Sequence, residues 1–127
     1  MKTKICRLPN AELAVMQALW QVDAPATRPE LDALLSQEKG WVPTTILNLI
    51  ARLERKGFVV REKKGKGYLY SALVSKAEYL QEESGRFLES MFDGSAKQFV
   101  AALYDNNTLT RQDVDELAAY LKQLQEE

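Results

Sequence analysis

The residues best suited to chemistry lie between Thr44 and Lys66. On a helical wheel Thr44, Asn48, Ala51, Arg52 and Arg55 fall opposite an apolar stripe of Ile46, Leu49, Ile50 and Leu53, and Thr45 and Leu47 flank it. Hydroxyl and amide groups near the start of such a helix can reach base edges. Guanidinium groups near its end can clamp phosphate or guanine. Lys64 and Lys66 flank Gly65 in a turn and offer ammonium groups to neutralise phosphates. Arg28, at the start of an earlier helix, joins them as a candidate contact. This chemistry is recognition of double-stranded DNA, and it breaks no covalent bond.

Other chemistries lack their residues. The chain has no histidine, which removes imidazole metal ligands and a Ser-His-Asp triad. Glu82 and Glu83 are adjacent and have no partner constellation, so no enzyme, metal or cofactor is expected. Cys6 is the one cysteine, so no disulfide can form within the chain and a reducing cytoplasm is expected. Lys4 and Arg7 near Cys6 would favour its thiolate, which admits redox sensing, but an incidental thiol is the simpler reading. No apolar run approaches the ~18–20 residues of a membrane span, and MKTKICRLPN has no signal-peptide core.

The elements that must position the site follow in order. Asn10 is expected to cap a first helix with Leu13, Met16, Leu19 and Trp20 on its buried face, ended by Val22-Asp23-Ala24-Pro25. Thr27-Arg28-Pro29-Glu30 is a capping box that opens a second helix on Leu31, Leu34 and Leu35. Pro43 opens the third helix with no side-chain cap, because Val42 cannot accept a hydrogen bond. Its first N–H groups are left to face a phosphate. Gly57 stands where a left-handed cap is expected. Two β-type runs, Phe58 to Lys63 and Tyr68 to Leu73, flank the tip Lys64-Gly65-Lys66-Gly67. Three helices and a hairpin with a basic tip make a winged helix-turn-helix domain over residues 1–74. In that fold the third helix enters the major groove and the wing follows the backbone.

Charge divides the chain in the same way. Residues 1–74 hold 12 Lys+Arg against 7 Asp+Glu, a balance of +5, and residues 75–127 hold 5 against 11, a balance of −6. A basic nucleic-acid half joined to an acidic half with another task is expected. Ser75-Lys76-Ala77-Glu78 opens a long helix with Leu80, Phe87, Leu88, Met91 and Phe92 on one face, stopped by Gly94. A short helix carries Phe99, Val100 and Leu103 and ends at Asp105-Asn106-Asn107. Thr110 caps a last helix carrying Val114, Leu117, Ala118, Leu121 and Leu124. Three amphipathic helices cannot easily bury all these faces alone; they would either fold back on the winged domain or pair with a second copy. A homodimer through residues 75–127 is the expected reading, because linked recognition helices suit paired half-sites. The expected class is mainly α with a small β-hairpin wing, followed by a helical dimerisation region.

The chain resembles the penicillinase-repressor (BlaI/MecI/CopY) family of transcriptional repressors. The likeness lies in LPNAELAVMQALW from Leu8 to Trp20 and in Trp41, Thr45, Ile46, Leu49, Arg52, Leu53, Lys56, Gly57 and Phe58. It continues in Tyr68-Leu69-Tyr70-Ser71, in Leu109-Thr110 and from Asp113 to Leu117. The resemblance implies a cytoplasmic homodimer that binds a palindromic operator and represses resistance or metal-response genes. Three departures qualify it. The tail YLKQLQEE lacks the cysteine cluster of the copper-responsive branch, so metal sensing is not expected. Thr44 and Leu47 stand where the antibiotic-responsive branch usually has basic residues, so the operator should differ, with Leu47 free to touch a thymine methyl. That branch is relieved by a regulatory protease cutting an Asn-Phe bond, and alignment back from Leu109 puts Ala102-Leu103 there. The alternative reading is a winged-helix protein-interaction module without sequence-specific DNA binding.

Overall fold

The computed structural model describes residues 5–22 and 25–127. Lys4, named above beside Cys6, and Asp23 and Ala24 of the first helix exit lie outside them. The elements run α1 (Asn10–Gln21), β1 (Ala26–Thr27), α2 (Arg28–Lys39), α3 (Pro43–Arg55), β2 (Val59–Lys64), β3 (Gly67–Ala72), α4 (Lys76–Phe92), α5 (Ala96–Asp105) and α6 (Arg111–Gln125). The protein is mostly helical with one small antiparallel sheet of order β1-β3-β2. One compact unit ends at Glu83 and a second spans Ser84–Glu127.

Local signals set most boundaries of the first unit. Asn10 is not the cap of α1. Pro9 holds that position with no side-chain bond, and its carbonyl accepts from Leu13 N at 2.9 Å. The ring fixes φ at −58° and has no N–H to leave unpaired, so the helix starts there without a polar cap. Thr27 and Glu30 form the capping box of α2, and the Glu30 carboxyl is held below its ordinary range by the Thr27 backbone N–H and then the Thr27 hydroxyl. Gly57, at φ +81°, ends α3. Phe58 N donates to the Leu53 carbonyl at 2.9 Å and Gly57 N to that of Glu54 at 3.1 Å, which is a Schellman closure.

The core of this unit gathers Val15, Met16 and Leu19 of α1, Leu31 and Leu35 of α2, and all four stripe residues of α3. Phe58, Val59 and Tyr70 close it from the wing side. Tyr79 of α4 completes it at 3% exposure. Its hydroxyl accepts from Leu8 N at 3.0 Å, and its ring lies edge-on to Phe58 with centroids 6.0 Å apart. Trp20 Nε1 donates to the Val74 carbonyl at 3.0 Å, fixing the chain as it leaves the wing. The first turns of α4 thus belong to the winged unit. The two-residue strand β1 pairs Ala26 with Tyr70 and Thr27 with Leu69.

In the second unit Asp93 and Gly94 take positive φ and turn the chain out of α4. Ser95 caps α5, and Thr110 with Asp113 forms a capping box for α6. Neither α5 nor α6 has a buried residue. Phe87, Phe92 and Phe99 stack on one another with centroids 5.4–5.9 Å apart. Among the described residues, no helix is long and apolar enough to cross a membrane.

Candidate nucleic-acid interface

Burial of Ile46, Leu49, Ile50 and Leu53 turns the opposite face of α3 outward. Thr44, Thr45, Leu47, Asn48, Arg52 and Arg55 are all exposed, and Ala51 is half-buried. Val42 sits at the N-cap with no side-chain bond. The Thr44 and Thr45 N–H groups at the helix start thus lack a side-chain cap, and the exposed threonine side chains stand beside them, a donor-rich helix start.

The wing tip is tighter than the four-residue run suggested. Lys64 pairs with Gly67, so the loop is only Gly65-Lys66. Gly65 takes φ +62° at the first loop position, as a type II′ hairpin turn requires. Both strands start and end one residue from their expected bounds. Lys64 is the last residue of β2, whereas Lys66 lies in the turn, so strand alternation does not relate their directions. Both side chains are exposed.

Ion pairing sorts the cations of this unit into two groups. Arg28 is engaged: Nε and Nη2 donate to the Asp32 carboxylate at 3.3 and 3.4 Å, and Nη2 also donates to the Pro43 carbonyl at 3.3 Å. Lys56 Nζ meets Glu12 at 2.6 Å, and Glu12 is 3% exposed. Arg61 meets Glu54 at 3.3 Å and lies 4.6 Å above the Tyr68 ring. Arg52, Arg55, Lys63, Lys64 and Lys66 have no ion-pair partner among the described residues. Lys39 at the end of α2 and Lys76 at the start of α4 are likewise unpaired among the described residues, and the other five free charges lie on the outer face of α3 and along the wing. Between α3 and the wing runs an open cleft walled by Leu47, Tyr68 and Pro29 and rimmed by Arg28, Arg61 and Lys64. Sequence reasoning did not single out Tyr68 here, because its part depends on the strand pairing that brings it beside Arg61.

The other candidate residues lie apart from this face. Leu80 is exposed on the first unit. In the second unit Phe87, Met91, Val114 and Leu121 are exposed, and Leu88, Phe92, Phe99, Leu103 and Leu117 are half-buried. Ala102 and Leu103 lie within α5. The Ala102 carbonyl accepts from Asn106 N, and that of Leu103 from Thr108 N and Leu109 N.

Comparison with known proteins adds to this geometry. The sequence pattern described as penicillinase repressor matches residues 8–123. The penicillinase repressor of Bacillus licheniformis is 28% identical over 120 residues, covering 94% of this chain and 93% of that protein. The methicillin resistance regulatory protein MecI of Staphylococcus aureus (strain N315) is 28% identical over 117 residues, covering 92% and 94%. The solution structure of the DNA-binding domain of the repressor BlaI superposes with a TM-score of 0.54 at 29% identity, covering 61% of this chain and 94% of that one. The monomeric form of Bacillus licheniformis BlaI in complex with the blaP half-operator gives 0.53 at 30% identity, covering 60% and 92%.

Proposed function

We propose a function from one premise: the chain belongs to the penicillinase repressor family, whose pattern spans residues 8–123 of it. It is a DNA-binding transcriptional repressor. The finer reading is a homodimer on a palindromic operator that controls antibiotic-resistance or stress genes. The observation that carries it is the placement of unpaired cations. Arg52 and Arg55 on α3, and Lys64 and Lys66 on the wing, flank the exposed Thr44, Thr45, Leu47 and Asn48. Such a surface suits a helix in the major groove with a wing along the phosphates. Arg52, Arg55 and the lysines neutralise phosphate, and Thr44, Thr45, Leu47 and Asn48 meet base edges. Two linked copies then present two such helices to the two half-sites of one operator.

The dimer reading rests on Leu80, Phe87, Leu88, Met91, Phe92, Phe99, Leu103, Val114, Leu117 and Leu121. Met91 at 65% and Leu121 at 51% exposure are large apolar side chains that a second copy would cover. Release from DNA follows proteolysis or another signal. A cut at Ala102-Leu103 requires the α5 helix to open, because both carbonyls are bonded within and just after it. The function is tested by selecting duplexes from a random pool with the full chain and measuring their mobility shift. Enrichment of a two-fold symmetric sequence is expected. Failure to enrich any sequence, with weak binding alike to all duplexes, would refute sequence-specific repression and leave the protein-docking alternative.

A further inference from the structure

We propose that Arg28 and Asp32 form a positioning couple that sets the first turn of α3 against α2, and that Arg28 does not hold DNA itself. The inference rests on the repressor reading above and assigns a role within it. Ile46 anchors the first turn of α3 in the core, but no polar side chain of that turn fixes its start. Val42 provides no side-chain cap, and Pro43 has no N–H. The Arg28 Nη2 bond to the Pro43 carbonyl is a cross-link from the start of α2 to the start of α3. Asp32, one turn further along α2, holds the guanidinium through Nε and Nη2, so the plane that reaches Pro43 is itself oriented. Both side chains are about three-quarters buried, at 23% and 25% exposure. Thr44 and Thr45 follow Pro43, and their hydroxyls and N–H groups open the reading face. A guanidinium that aligns the Pro43 carbonyl therefore aligns those donors.

The competing role is a phosphate contact through Nη1, because three of the five guanidinium donors take part in the observed bonds and two do not. The two roles predict different losses. Duplexes are first selected from a random pool with the wild-type chain. The best of them and a scrambled duplex are then titrated with Arg28→Ala/Asp32→Ala, which leaves net charge unchanged, and with Arg28→Lys. Lysine keeps the charge but cannot make the fork that spans Asp32 and Pro43. Both variants should lose about tenfold on the selected duplex, the scale of one base contact, with no loss on the scrambled one. The slope of log affinity against log salt should stay at the wild-type value. If the double variant loses affinity equally on both duplexes and its slope falls by about 0.9, Arg28 is a phosphate contact and the proposal fails. It also fails if Arg28→Lys binds the selected duplex as well as wild type does. Should the double variant not fold, Arg28→Lys alone carries the decision. If the wild-type chain selects no duplex, the repressor reading falls first and this role with it.

Discussion

Replacing Lys64 and Lys66 by alanine tests the wing as a phosphate clamp. Both side chains are exposed, and neither has an ion-pair partner among the described residues. Each is free to displace one condensed counterion, and each phosphate contact contributes about 0.9 to the salt slope. Losing both should flatten the slope by about 1.8 per protomer. Between about 50 and 200 mM salt, a fourfold change, a slope difference of 1.8 amounts to about twelvefold in affinity. The wild-type chain should thus lose about twelve times more affinity over that range than the variant, counted per protomer. The variant should also bind more weakly at low salt, with the same ranking of sequences, since phosphates carry no base identity. Its thermal midpoint should hardly move, because exposed, unpaired lysines contribute little to folding. The assay is fluorescence anisotropy on one half-site duplex at several salt concentrations. An unchanged slope would mean that the lysines only solvate the tip, and the reasoning from free charge to phosphate contact would be wrong.

Four other outcomes follow from the structure. Arg52→Ala should weaken binding to all duplexes, while Asn48→Ala and Thr45→Ala should narrow the gap between selected and scrambled sequences; equal losses on both for Asn48→Ala would remove its base-reading role. Met91→Glu with Leu121→Glu should shift the full chain from dimer to monomer in sedimentation at micromolar concentration, and a persistent dimer would place the interface elsewhere. Glu12→Ala strips Lys56 of its partner inside the winged unit; the Lys56 side chain remains a third exposed, so the loss should be about 1–3 kcal/mol in denaturant unfolding, below that of a fully buried pair. The Glu30 carboxyl is held low by Thr27, so its stabilising contribution is present above the ordinary glutamate range and is lost as pH falls through the lowered folded value. The thermal midpoints of wild type and Glu30→Gln should therefore differ at neutral pH and converge in acid, and a constant gap would count against the capping box as the cause.

The sequence by itself determined the features that close over a few residues. The apolar spacing of Ile46, Leu49, Ile50 and Leu53 specifies a buried helix face and, as its complement, the reading face, since a helix has only one other side. Thr27 to Glu30, Ser75 to Glu78 and Thr110 to Asp113 place three helix starts through bonds that span three residues. Gly57 and Gly65 place a helix end and a hairpin because each occupies a positive φ. What spans a longer stretch of chain had no such signature. Pro9, and not Asn10, caps α1. β1 is too short to show a period, and it exists because β3 offers it an edge. Tyr79 belongs to the winged core only because Phe58, Trp20 and Leu8 N converge there from distant parts of the chain. The same holds for charge. Composition counts Arg28, Lys56 and Arg61 equally with Arg52, Arg55, Lys64 and Lys66. Arg28 meets Asp32 one turn on in the same helix, a spacing the sequence already holds, but tertiary structure sets Lys56 and Arg61 against Glu12 and Glu54. Periodicity can say which side of a helix faces out. Which outward cation remains free depends on carboxylates brought near by packing, and only the folded chain decides that.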